Sequence, residues 1–151
     1  MHWTDRLHRA LIGISDRVNR LDLDSRLLAA SGVKLDRALF PLLSRVAMNP
    51  DINVAELANL VGRDQSVVSR QIAKLEKLEL LLRANDPGDQ RSRHLTVSER
   101  GKGMLARIGK VRRRLMVEHF AQWDTADRER LIEMMERMLE SESEVGKIQK
   151  M

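Results

Sequence analysis

The chain has 151 residues, 42% of them apolar and 32% charged, with a formal net charge of +5. That is the size of one domain with a real core and the composition of a soluble globular protein, not a disordered one. No apolar run approaches the roughly 20 residues that span a bilayer. Met1–Arg6 lacks the apolar stretch of a signal peptide, and the absence of cysteine removes disulfides, thiol redox sensing and thiolate zinc sites. A cytoplasmic location without membrane association is the expectation.

Trp3, Leu7, Leu11, Ile14, Val18 and Leu21 recur at helical steps of three and four, which predicts one amphipathic helix over Thr4–Ala29. A seam this narrow suits another helix better than a wide core. Ser31-Gly32 breaks the pattern, and a second helix is expected over Asp36–Met48, with Leu39, Leu42, Leu43 and Val46 inward and Pro41 in its first turns. Asn49-Pro50-Asp51 reads as a turn. Asn53 followed by Glu56 resembles a capping box, so a short helix starts at Val54 and ends at Gly62. Asp64 is a good N-cap for the next helix, Asp64–Leu78, which turns Val68, Ile72 and Leu75 to one side.

Leu80-Leu81-Leu82 suits a strand, Asp86-Pro87-Gly88-Asp89 a turn, and Arg91–Val97 the returning strand. Ser98-Glu99 opens a long helix to about Trp123, and Asp124 or Thr125 caps a last one to about Ser143. Met104, Ile108, Val111 and Leu115 in the first, and Leu131, Met135 and Met138 in the second, recur at helical spacing. The expected fold is mainly α with a small β-hairpin wing: a winged helix-turn-helix over 34–98, flanked by helical dimerisation arms over 1–30 and 99–151. Arms apolar on one side, beside so small a middle, leave surface that a symmetric dimer covers; Met134, Met135 and Met138 read as part of that dimer core.

Charge is unevenly spread. From Arg63 to Arg113 there are 13 Lys/Arg against 6 Asp/Glu, and from Glu118 to Glu144 there are 3 Arg against 9 Asp/Glu. A basic middle implies a local anion-binding surface, and the large anion of the cytoplasm is nucleic acid. The four aromatics, Trp3, Phe40, Phe120 and Trp123, do not interleave with the basic stretch, which argues against single-strand binding by base stacking.

The helix after Asp64 presents Gln65, Ser66 and Ser69 near its start and Arg70 and Lys74 further on. Short polar residues let a helix N-terminus approach base edges in a major groove, where Gln and Arg read bases and Ser reaches base or phosphate. Behind it, Asp89, Arg91 and Arg93 lie on the hairpin, and arginine is the preferred side chain for a narrow minor groove. Asp89 repels phosphate unless it pairs with an arginine.

In this order and spacing, the pieces resemble the MarR family of transcriptional regulators. They are Ala30-Ser31-Gly32-Val33, Val54-Ala55-Glu56-Leu57-Ala58, Gln65 to Arg70, the wing Asp86 to Ser92, and Val97-Ser98-Glu99-Arg100-Gly101. The resemblance implies an obligate homodimer built by the first helix and the last two. It places recognition helices in successive major grooves of a palindromic double-stranded operator, with wings in the flanking minor grooves. It implies that Arg91 enters the minor groove and that Asp89 bridges Arg91 and Arg70. It further implies a small aromatic or lipophilic effector in a cleft lined by the first, second and fifth helices. The expected activity is a repressor released when such a ligand favours a dimer with mismatched recognition helices, or equally an activator, because the sequence does not encode the sign.

One position departs from the family pattern: Glu79 stands where Gly usually follows the recognition helix. Either the helix ends differently or the backbone carries strain. His2, His8, His94 and His119 form no metal-ligand spacing, so no cofactor or metal is expected; His94 reads as a wing contact to phosphate or solvent. Gly101 and Gly103 read as close-packing positions, and no nucleophile elbow, P-loop or dinucleotide fingerprint is present, so the chain is not expected to be an enzyme. The competing reading is a helical protein–protein interaction module that does not touch DNA.

Overall fold

A computed structural model describes residues 1–18, 21–86 and 89–148, with side chains described over 1–18, 24–84 and 93–140. The chain divides into two compact units, Met1–Arg112 and Arg113–Met151. The first contains α1 (Trp3–Val18), α2 (Leu21–Ala30), α3 (Phe40–Met48), α4 (Val54–Val61), α5 (Gln65–Lys77), the antiparallel pair β1 (Leu81–Asp86) and β2 (Asp89–Val97), and the first part of α6 (Glu99–His119). The second holds the end of α6 and α7 (Thr125–Ile148).

The expected single helix over Thr4–Ala29 is delimited as α1 and α2, and residues 19 and 20 lie outside those described. Their surroundings differ as well. Leu28 of α2 is buried and Leu27 packs against the core, whereas none of α1 is buried. Asp24, on α2, has its carboxyl pushed upward by burial, an effect that Arg45 partly opposes.

The α3 helix starts four residues later than periodicity predicts. Asp36 closes a turn of its own, its carboxylate accepting from the Ala38 N–H and its carbonyl from the Leu39 N–H, both at 2.9 Å. A side chain that competes for the backbone in this way favours a turn over a helix interior. Pro41 then falls in the first turn, where its missing N–H costs nothing.

The helix-turn-helix forms as read. Asn53 caps α4 by accepting from the Glu56 N–H at 2.8 Å, and the Asn53 amide also reaches the Glu56 carboxylate. Gly62 ends α4 at φ 65°, the left-handed geometry glycine tolerates without a Cβ penalty. Asp64 occupies the N-cap of α5 in extended conformation, but its side chain makes no capping hydrogen bond. One face of α5 is fixed by Val68, Ile72 and Leu75, all fully buried. Each such side chain contributes roughly 1.5–3 kcal/mol. The rest of the core includes α3 (Phe40, Leu42, Leu43, Val46), Leu57 and Ala58 of α4, the hairpin (Leu81, Leu95), α6 (Met104, Ile108), and Leu28, Val33, Leu39, Ile52 and Leu80.

The end of α5 resolves the two alternatives at Glu79 in favour of a left-handed residue. Glu79 has φ 60°. Its N–H bonds to the Glu76 carbonyl and the Leu80 N–H to the Leu75 carbonyl, both at 2.9 Å. This is a Schellman closure, complete with its apolar contact between buried Leu75 and Leu80, built around a glutamate. Ser98 then locks the same point: its hydroxyl donates to the Glu79 carbonyl at 2.6 Å and accepts from the Gly101 N–H at 3.0 Å, while its own N–H donates to the Leu80 carbonyl at 3.0 Å. A Cβ at Gly101 would collide with that Leu80 carbonyl oxygen and come within 2.7 Å of Val97 Cγ1. The packing role expected of Gly101 is thus explicit, whereas Gly103 has open space around it.

The hairpin runs from Leu81 opposite Val97 to Asn85 opposite Arg93, with an irregularity at Asn85/Asp86. Its inner edge is tied to the loop before α4 by the Leu95 N–H donating to the Ile52 carbonyl at 2.9 Å. The turn expected at Pro87-Gly88 lies outside the described residues. In the second unit, α6 stops at His119, not near Trp123, because residues 120–123 form a turn in which Phe120 stacks edge-on to Trp123 at 5.3 Å. Asp124 caps α7 through the Asp127 N–H at 2.8 Å, and α7 runs to Ile148, past the expected Ser143. No described residue from 113 to 140 is buried.

Two substitutions test the closure. Glu79→Gly relieves a left-handed glutamate and loses only an exposed 3.9 Å pairing with Arg100, so it is expected to raise unfolding free energy by about 1 kcal/mol in denaturant titration. Gly101→Ala is expected to lower it by about 1–3 kcal/mol, since the obstructing atom is backbone and cannot rotate away.

Candidate nucleic-acid interface

With Val68, Ile72 and Leu75 turned inward, helical geometry turns Gln65, Ser66, Arg70 and Lys74 outward; all four are exposed, and Ser69 is half-buried beside them. The structure thus brings together the five α5 residues expected from sequence on one polar surface. Arg70 lies back along its own helix, with Nε 3.4 Å from the Ser66 carbonyl. Before Glu76 this helix carries no acidic residue. The exposed groups are therefore neutral donors and acceptors near the N-terminus and cations further along, where the helix dipole adds positive potential at the leading end.

Of the wing residues, Arg93 is exposed on β2. Asp89 and Arg91 belong to the same strand, but their side chains lie outside the described residues, as does the expected bridge from Asp89 to Arg91 and Arg70. His94 lies next to Arg93 and is half-buried.

Two further arginines hold the frame and were not singled out from the sequence. Arg83 of β1 meets Glu76 in the last turn of α5, Nε to Oε1 at 2.7 Å, with both side chains about three-tenths exposed. This pair fastens wing to recognition helix across the α5–β1 junction, where the helix ends between residues 76 and 83 and no single period runs through both. Arg63, just before α5, donates from one Nη1 to the Ala38 carbonyl at 2.8 Å and to Gln71 Oε1 at 3.0 Å. It therefore ties the turn before α3 to the flank of α5. The only sequence signal was a basic residue ahead of an N-cap, which is common in any surface loop.

A separate cavity of about 400 Å³ opens between α3 and α6. Phe40, Ser44, Ala47 and Met48 line one side, and Leu105, Ile108 and Arg112 the other. Its walls are apolar apart from a hydroxyl and one guanidinium, the make-up of a site that shelters an apolar body and fixes one polar or anionic group.

Comparison with known proteins agrees with this arrangement. A sequence profile of the MarR family matches residues 35–92. The chain is 33% identical over 104 residues to the uncharacterized HTH-type transcriptional regulator YxaD of Bacillus subtilis (strain 168), covering 69% of this chain and 73% of that protein. It is 29% identical over 106 residues to a putative transcriptional regulatory protein for the hcr operon of Thauera aromatica, covering 70% of this chain and 64% of that one. Among solved structures it resembles MarR, with a TM-score of 0.65, 26% identity, and 90% and 97% of the two chains covered. It also resembles a MarR family transcriptional regulator of Silicibacter pomeroyi, with a TM-score of 0.70, 25% identity, and 89% and 88% covered. These relatives are regulators of transcription, not enzymes, and among the described residues no helix is long and apolar enough to cross a membrane. The chain belongs to the MarR family and is a winged-helix transcriptional regulator.

Proposed function

We propose that the chain acts in the cytoplasm as a homodimeric repressor on a palindromic double-stranded operator, and that a small ligand relieves repression. The observation that carries this reading is the α5 surface. Gln65, Ser66, Arg70 and Lys74 are exposed, with half-buried Ser69 beside them, on a helix whose Val68, Ile72 and Leu75 are fully buried. Such a helix is held rigidly while offering base-reading and phosphate-binding groups at its leading end. In this reading Arg91 and Arg93 follow the minor groove, and Asp89 orients Arg91.

Dimerisation is supported by the helical regions 1–30 and 99–151. Along α1, Trp3, Leu7, Leu11, Ile14 and Val18 form a seam whose members are all at least 39% exposed. On α7, Ile132, Met134, Met135, Met138 and Leu139 are likewise exposed. Apolar area on this scale, in two helices with no buried side chain among the described residues, is the kind of surface that a second subunit covers. The effector is a small aromatic or lipophilic molecule with one anionic group, seated between α3 and α6 with its charge on Arg112. The same helix, α6, carries the Ser98 and Gly101 contacts to the end of α5. A ligand that alters the α3–α6 spacing thereby redirects the recognition helix.

The test is selection of bound fragments from a random duplex pool. A palindrome with half-sites about one helical turn apart is expected, bound with an affinity that falls steeply as salt rises. Failure to enrich any duplex even at low salt would replace this reading with the helical interaction module. On the recovered operator, Arg91→Ala is expected to weaken binding about tenfold or more while sedimentation still reports a dimer. Unchanged affinity would remove the wing from the interface.

A further inference from the structure

The short connection between α2 and α3 carries an arrangement that the recognition helix and wing do not account for. Val33 and Leu39 are buried and Leu35 packs against the core, which leaves Lys34, Asp36 and Arg37 at the surface. Asp36 holds its own turn, its Oδ1 accepting from the Ala38 N–H at 2.9 Å. With two cations against one acid, the surface of this segment carries net positive charge. Its position is fixed by Arg63, whose single Nη1 reaches both the Ala38 carbonyl and Gln71 Oε1. One nitrogen can bridge two acceptors only if they lie within about 6 Å of each other. The turn is thus held close to Gln71, which follows Arg70 on α5.

That placement has a consequence for a helix in a groove. An α-helix with its side chains is about 10–12 Å across and the major groove about 12 Å wide, so whatever is fastened to the flank of the helix faces the phosphate wall. We propose that Lys34 and Arg37 contact the phosphodiester backbone of each half-site, and that Arg63 is the positioning residue that holds them there. The contact carries no sequence information; it sets how deeply and at what angle the recognition helix sits. The proposal rests on the operator-binding reading above.

The test uses the full chain on its recovered operator and on an unrelated duplex, with affinity measured across a salt series. Lys34→Ala/Arg37→Ala is expected to weaken both complexes alike. It should also flatten the dependence of log affinity on log salt by about 0.9 for each lost contact, or roughly 3–4 for a dimer that loses four. The charge-keeping Lys34→Arg/Arg37→Lys is expected to retain the wild-type slope. An alanine variant with the wild-type slope would overturn the proposal and leave operator binding intact. So would equal losses in the alanine and charge-keeping variants, because the side chains would then be holding the fold and not phosphate. Wild-type protein that binds neither duplex would remove the operator-binding reading and this inference together.

Discussion

The structure depends on what converges at Leu80. Its side chain is buried, its N–H closes α5 by bonding to the Leu75 carbonyl, and its own carbonyl accepts from Ser98 at the threshold of α6. β1 departs from it one residue later, and Gly101 packs so closely against its carbonyl that no side chain fits between. Recognition helix, wing and long helix are therefore set relative to one another at a single residue, by three separate means. The Glu76–Arg83 pair adds a fourth tie between helix and wing.

This convergence explains why a glutamate is accommodated in a left-handed conformation. The strain of a non-glycine residue there is on the order of 1–2 kcal/mol. Against it stand three fully buried side chains on α5, each worth roughly 1.5–3 kcal/mol, and burial of Leu80 itself. Packing wins by several-fold, so the backbone takes the turn that the core requires and the local preference of Glu79 is overridden. The departure from the family pattern changes the cost of the turn and leaves its geometry in place.

Much of the first unit was legible because its signals are local. Asn53 with Glu56, Gly62 after α4, and the three-four spacing of Val68, Ile72 and Leu75 each specify structure within one or two turns. The five α5 residues followed directly, since a buried face defines its opposite. The start of α3 departs from its expected place because a side chain competes with the helix for the backbone, as Asp36 does. Arg63, Glu76 and Arg83 were not legible at all. Their partners are 25, 7 and 7 residues away across turns, and a charged residue in sequence gives no sign of whether its partner is protein, phosphate or water.

The contrast between the middle of the chain and its arms sets the character of the proposed regulator. From α2 to the first turns of α6 nearly every apolar periodicity is satisfied internally, so this lobe can hold the α5 surface rigid by itself. In α1 and α7 the same kind of periodicity is left exposed. In the proposed regulator this division leaves the lobe's own fold independent of whatever covers α1 and α7. The α3–α6 cavity lies on the α6 segment leading away from the Leu80 junction, with Ile108 and Arg112 seven and eleven residues beyond Gly101. At 1.5 Å per residue that is roughly 10–16 Å of continuous helix. A helix over that distance transmits a tilt rather than absorbing it. In the proposed regulator, the Ser98 and Gly101 contacts at the start of α6 are the route by which a ligand between α3 and α6 would act on recognition helix and wing.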